Sequence, residues 1–153
     1  MREEDVAHAR RNHSSTTITV HLGRPTASAQ NVTIGFVDYI KNVASSEIYP
    51  TWPYEALRAN IWCQMSLALN RIYTEWYRSR GYSFDITNST AFDQAFVPGR
   101  NIYDNIAAVV DEVMGDYLKK PFLQGAVLCG ILRWKKSSVS GAEAVGNPRS
   151  GKS

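Results

Sequence analysis

The sequence predicts an α+β fold: a single, mainly helical domain with a few short strands, built around one long central helix. Three observations carry this expectation. Near the start, residues 17–22 (TITVHL) alternate and are rich in β-branched side chains, which suits a strand. From Phe36 onward, apolar residues recur at intervals of three and four, the period of a helix, in three separate stretches. The chain has 153 residues with 44% hydrophobic content, which makes room for one domain with a core of its own.

Taken in order, residues 1–16 are charged and polar and offer nothing to bury, so they read as a disordered segment. Residues 17–22 form the first strand and 31–34 (NVTI) a second, with the Gly, Pro and Ser of 23–30 as the turn between them. Phe36, Ile40, Val43 and Glu47 then fall at i, i+4, i+7 and i+11, one face of a helix that ends at Tyr49-Pro50, because proline disfavours helical geometry in the residue before it. Thr51 suits the N-cap of the next helix, Pro53 its first turn, and Glu55 its positive end.

That second helix is expected to run to about Ser79, with Gly81 as its stop. Leu57, Ile61, Met65, Ala68, Ile72 and Trp76 form one stripe, and Trp62, Leu69 and Tyr73 widen it, so this element is expected to be central and largely buried. Residues 82–86 are a short strand candidate, 87–90 (TNST) a turn, and Pro98-Gly99 another turn. Residues 101–118 form the last amphipathic helix, on Ile102, Ile106, Val109, Val110, Val113 and Tyr117. Pro121 ends it; 122–134 reads as a terminal strand or short buried segment, and 135–153 as a disordered tail of Ser, Gly and Lys.

Bulk properties exclude several function classes. Seventeen Lys+Arg against 14 Asp+Glu leave a mild +3, spread out and partly placed at the two ends, which gives no electrostatic case for nucleic acid. No signal-peptide pattern is visible, and the longest apolar run, 122–132, is far short of the ~20 residues that span a bilayer, so no integral membrane segment is expected and the chain reads as soluble. Cys63 and Cys129 lie among apolar neighbours and read as buried small hydrophobes. His8, His13 and His21 are scattered away from both, so neither metal nor cofactor is expected.

Glu47 draws attention because it continues an apolar stripe. Desolvation there, together with the negative end of the helix dipole, would favour its neutral form. Tyr49 and Trp52 beside it are aromatic surfaces of the kind on which sugars stack. The ordinary reading of a glutamate near a helix end is a solvated or capping residue. Likewise Asp85, Ser89, Thr90 and Asp93 can be turn-formers, and Trp62, Tyr73, Trp76 and Tyr77 suit a core better than a sugar platform.

Two blocks resemble a known signature. Residues 43–47 (VASSE) and 52–59 (WPYEALRA) resemble the "V-A-S-E-M-P" and "P-E-A-L-K-A-Q-A" segments of the stage II sporulation protein D (SpoIID/LytB) domain family, and residues 85–96 (DITNSTAFDQAF) resemble its "D-I-x-D-S-T-x-D-Q-x-Y". The resemblance covers about residues 32–118. It implies a bacterial, peptidoglycan-directed domain at the cell wall or cell surface, linked in some relatives to sporulation. Its partners would be glycan strands and, for members named for autolysin modification, other cell-wall hydrolases.

The best-understood members are lytic transglycosylases that cleave glycan strands stripped of their peptides. Carried over, Glu47 is the catalytic acid, and Gln94 with Ser89 lines the glycan cleft; Thr90 and Asp93 of the same block, and the aromatic Tyr49 and Trp52 beside Glu47, complete the candidate substrate-binding residues. The alternative implied by the same resemblance is a non-catalytic module that binds wall glycan or modulates an autolysin. Met65 stands where the family's helix carries an arginine, residues 121–153 lack the family's closing segment, and the His/Cys cluster of its zinc-bearing relatives is absent. The domain therefore reads as spanning 17–134 and truncated or altered after about residue 121.

The chemistry suits a single acid. Ordinary glycoside hydrolysis takes two carboxylates, roughly 5–5.5 Å or roughly 6.5–9.5 Å apart. In lytic transglycosylation the muramic acid C6 hydroxyl attacks the anomeric carbon, so one group first donates and then accepts the proton.

Overall fold

The computed structural model describes residues 16–119. The N-terminal segment before residue 16, the apolar stretch at 122–134, Cys129 and the tail at 135–153 lie outside the described residues.

Within them the fold is mixed α+β, with three helices and a three-stranded sheet. The order is β1 (Thr17–His21), β2 (Asn31–Gly35), α1 (Phe36–Glu47), α2 (Tyr54–Tyr73), a 3-10 turn (Arg78–Arg80), β3 (Ile86–Thr87) and α3 (Asp104–Lys119). β1 lies in the middle of the sheet, with β2 on one side and β3 on the other. It runs antiparallel to β2, pairing Thr17 with Gly35 through His21 with Asn31, and parallel to β3, pairing Val20 with Ile86 and His21 with Thr87. Alternation works as expected, since Ile18 and Val20 are fully buried while Thr17 is exposed.

β3 begins later than the sequence predicts, and a side chain explains why. Asp85 Oδ2 accepts the Thr19 N–H at 2.8 Å while the Asp85 N–H donates to the Thr19 carbonyl at 2.9 Å, so a carboxylate takes one rung of the ladder. Arg78 Nε holds the other carboxylate oxygen at 2.6 Å.

α1 starts directly from β2 and buries Phe36, Tyr39, Ile40, Val43 and Ala44. Its last turn departs from the expected stripe. Ile48, where the backbone turns extended (φ −124°, ψ 150°), takes the buried place, and Glu47 is exposed. Glu47 therefore does not continue the buried stripe.

Pro53, not Thr51, is the N-cap of α2; Thr51 lies in the preceding turn. Leu57, Ile61, Met65, Ala68 and Leu69 enter the core. The helix stops at Tyr73 because Glu75 adopts a left-handed φ of 49°, which breaks the repeat, and the 3-10 turn closes on Gly81 at φ 89°. Tyr73 and Trp76 are consequently exposed instead of core, while Tyr77 is buried. Cys63 is exposed as well: two residues from both Ile61 and Met65, it lies about 200° round the helix from each.

α3 buries Ile106, Val109, Val110, Val113, Met114 and Tyr117 against both other helices. Lys41 to Asp111 (3.0 Å) ties it to α1, and Arg58, forked onto Glu112 and Asp116, ties it to α2. No helix among the described residues is long and apolar enough to cross a membrane.

Candidate functional site

The site is built where the end of α1, the middle of α2 and the irregular segment after β3 meet. That segment, residues 88–103, has almost no regular structure, so its backbone polar groups need side-chain partners. Asn42 of α1 supplies one pair, accepting the Val97 N–H at 2.9 Å and donating to the Val97 carbonyl at 2.8 Å. Ser45 supplies another: its carbonyl accepts from Arg100 Nη2 at 3.0 Å and its hydroxyl oxygen from the Tyr103 N–H at 3.3 Å. Glu47 supplies the third, since its Oε1 accepts the Ala95 N–H at 2.9 Å.

The second oxygen of Glu47 meets α2. Gln64 Nε2 donates to Glu47 Oε2 at 3.0 Å, so a donor holds each carboxylate oxygen while the group remains open to solvent. Behind it lies a chain of amides. Gln94 Nε2 donates to the Gln64 carbonyl at 2.8 Å, and Gln94 Oε1 accepts from the Tyr39 hydroxyl at 2.9 Å. Burial, and after it the charges of Asp93 and Glu47, push the Tyr39 hydroxyl well above the ordinary tyrosine value, so it serves as a donor.

Asp93 anchors the segment from inside. Its side chain is 0% exposed. Oδ2 accepts from the Thr87 N–H (3.0 Å), the Thr87 hydroxyl (2.7 Å) and the Tyr77 hydroxyl (2.6 Å), and Oδ1 from Arg71 Nε (2.7 Å). Burial and this hydrogen bond raise the Tyr77 hydroxyl above its ordinary value. Arg71 also stacks on the Trp76 ring, 4.6 Å from its centroid, and Arg80 lies over the same ring at 3.9 Å.

The expected substrate residues therefore divide. Gln94 (3% exposed) and Asp93 spend their polar atoms inside the protein, so neither lines a cleft; an irregular segment folded against helices consumes them as internal partners. Ser89 is half-buried, and its carbonyl accepts the N–H groups of Phe92 (3.0 Å) and Asp93 (2.7 Å), the turn-forming role; Thr90 is exposed beside it. Tyr49 (68% exposed) and Trp52 (38%) do present aromatic surface, their ring centroids 6.1 Å apart at the junction that follows Glu47.

The structure thus joins Glu47 to the second sequence block through Ala95 and Gln94. Met65 takes no part in this: it is packed in the core, and its neighbour Gln64 is the residue that faces Glu47. Gln64, Asn42, Tyr39 and Arg71 were not anticipated from the sequence. A polar residue at a stripe position, Gln64 between Ile61 and Ala68, is the one signal that marked any of them.

Among the described residues no three His, Cys, Asp or Glu side chains converge as a metal-binding set would. His21 is buried at the end of β1, with ring nitrogens 2.7 Å from Asn31 Oδ1 and 3.0 Å from the Ala27 carbonyl, stacked on Phe84. No family model, curated protein or solved structure matches the chain.

Proposed function

We propose that this is a bacterial cell-wall domain of the SpoIID/LytB type, a lytic transglycosylase in which Glu47 acts on denuded peptidoglycan strands as sole acid and base. On this reading the domain is single and organised around α2, and it works at the cell wall or cell surface, alongside other wall hydrolases. The observation that carries it is an open carboxylate fixed on both oxygens, followed two and five residues on by the exposed rings of Tyr49 and Trp52, while the acid Asp93 is wholly engaged. A second carboxylate to activate water is thus missing from this cluster, which favours chemistry needing one.

Glu47 would give its proton to the glycosidic oxygen as the C1–O bond breaks. The resulting carboxylate would take the proton of the muramic acid C6 hydroxyl as O6 attacks C1, which closes the 1,6-anhydro ring and restores the acid. Tyr49 and Trp52 would carry sugar rings, and the bound glycan would exclude water from Glu47.

One observation favours a second reading, a non-catalytic module that binds glycan or modulates an autolysin. Both donors on Glu47 are neutral, and none is a cation suited to stabilise charge in a transition state. The test is incubation of wild type and Glu47→Gln with denuded glycan strands, followed by mass spectrometry for 1,6-anhydro ends. Product from wild type alone is expected; retention of glycan without product selects the binding module, and neither result would leave both readings without support.

A further inference from the structure

We propose that Gln64 is the positioning residue for Glu47 and that its side-chain amide serves both protonation states of that acid by turning half a revolution. Where the resemblance places an arginine, Met65 is in the core, and the contact with Glu47 is made one residue earlier.

The geometry around Gln64 is unusual in one respect. The residue is only 6% exposed, yet Gln64 Oε1 has no hydrogen-bond partner, the single buried side-chain atom so placed among the described residues. A buried acceptor without a donor is unfavourable. What dictates this orientation is Glu47. An ionised carboxylate only accepts, so Nε2 must face it, and Oε1 is turned to the side that offers no donor. The backbone of Gln64 cannot shift to relieve this, because its carbonyl is held by Gln94, and Gln94 by Tyr39.

An amide has nearly the same shape when its oxygen and nitrogen exchange places, so the turn needs no repacking. Once Glu47 carries a proton it becomes a donor, and Oε1 can accept from it. An arginine or lysine at this place could face only the anion. Gln64 can hold the acid before the proton leaves for the glycosidic oxygen and hold the carboxylate afterwards.

The charged and titratable groups that bear on this pair are few. Tyr39 of α1 acts through Gln94, Asp93 with its partner Arg71 precedes Gln94 in the chain, and Arg100 is fastened to the Ser45 carbonyl two residues before Glu47. The tyrosine, with its hydroxyl raised, keeps its proton and cannot substitute for Gln64 as the sensor of the Glu47 proton.

The role of Gln64 in catalysis rests on Glu47 being the acid and base, but the amide switch can be tested without turnover. In wild type, a through-hydrogen-bond coupling from Gln64 ¹⁵Nε2 to the Glu47 carboxyl carbon is expected at neutral pH and is expected to be lost in acid while the fold is retained. In Glu47→Gln no such pH-dependent loss is expected. A coupling that persists in acid, or that is absent at neutral pH, overturns the proposal.

For turnover, Gln64→Met keeps the length and apolar volume of the side chain and removes the amide. It is expected to lower kcat for 1,6-anhydro product about tenfold or more with KM within about twofold, as the loss of a hydrogen bond to a charged group implies. Unchanged kcat in a folded Gln64→Met protein overturns the positioning role. If wild type makes no product, the transglycosylase reading fails while the amide coupling still decides the switch.

Discussion

Asp93→Asn is the substitution that most directly tests how the site segment is held. The replacement is nearly isosteric, but the buried carboxylate accepts four hydrogen bonds, three on Oδ2 and one on Oδ1. If the asparagine oxygen stays with Thr87 and Tyr77, its amide nitrogen faces Arg71 Nε, donor against donor, and the guanidinium loses its counter-charge. Neutralising one partner of a buried pair costs about 3–5 kcal/mol. Arg71 keeps its stacking on Trp76, which places the expected loss near the lower end, about 3 kcal/mol. For a domain of this size that lowers Tm by about 12 °C or more and is a large share of the total stability of about 5–15 kcal/mol.

Urea melts followed by circular dichroism, with the slope m unchanged, give the value. Tyr77→Phe removes one donor of the four and is expected to cost less, about 1.5 kcal/mol. An Asp93→Asn loss under about 1 kcal/mol, or one smaller than that of Tyr77→Phe, would refute the assignment of Asp93 as an internal anchor and return it to the cleft.

Two further predictions follow from the same contacts. Tyr39, Tyr77 and Tyr117 have hydroxyls raised above the ordinary value of 10.0, in each case chiefly by burial. The folded chain therefore holds these protons more tightly than the unfolded chain. Their contribution is fully present below about pH 10 and is lost as pH rises through the raised values, with Tyr39 alone adding a slope of about 1.4 kcal/mol per pH unit. Urea midpoints that do not fall between pH 9 and pH 11, or that fall as steeply in Tyr39→Phe, would contradict this. Asn42→Ala removes both hydrogen bonds to the Val97 backbone, at an expected cost of about 1–2 kcal/mol because exposed Val97 can turn to water. Faster hydrogen exchange at the Val97 amide is the accompanying sign, and an unchanged exchange rate there would show that the segment is held by other means.

Much of the scaffold was legible in the residues, because apolar periodicity is a local property. Phe36, Ile40 and Val43 on α1, and Ile106, Val110, Val113 and Tyr117 on α3, enter the core as their spacing requires. What escaped was decided by single residues or by partners distant in sequence. The end of α2 turned on the left-handed backbone at Glu75, which no periodicity signals. Glu47 left the core because Ile48, the next residue, took the buried place. Asp93 and Gln94 drew notice as a motif, but their partners Arg71, Tyr77, Gln64 and Tyr39 lie 16 to 55 residues away, and nothing in a one-dimensional pattern assigns a carboxylate to an interior arginine over a cleft. The contact between Glu47 and Gln64 instead of Met65 is a matter of one position on a helix, about 100° of rotation, and only tertiary packing fixes it.

The parallel pairing of β1 with β3 sets an order of assembly. Val20 meets Val32 12 residues on and Ile86 66 residues on, so closing the second loop costs roughly 1.5 kcal/mol more chain entropy than the first. A strand of two residues returns few hydrogen bonds against that cost. Pairing of β3 is therefore favoured once the hairpin and the helices have brought the ends together, and Thr87, Asp93 and Ala95 belong to the segment that it docks. A chain that releases only β3 and the turn after it keeps three helices but no longer has a backbone amide on Glu47.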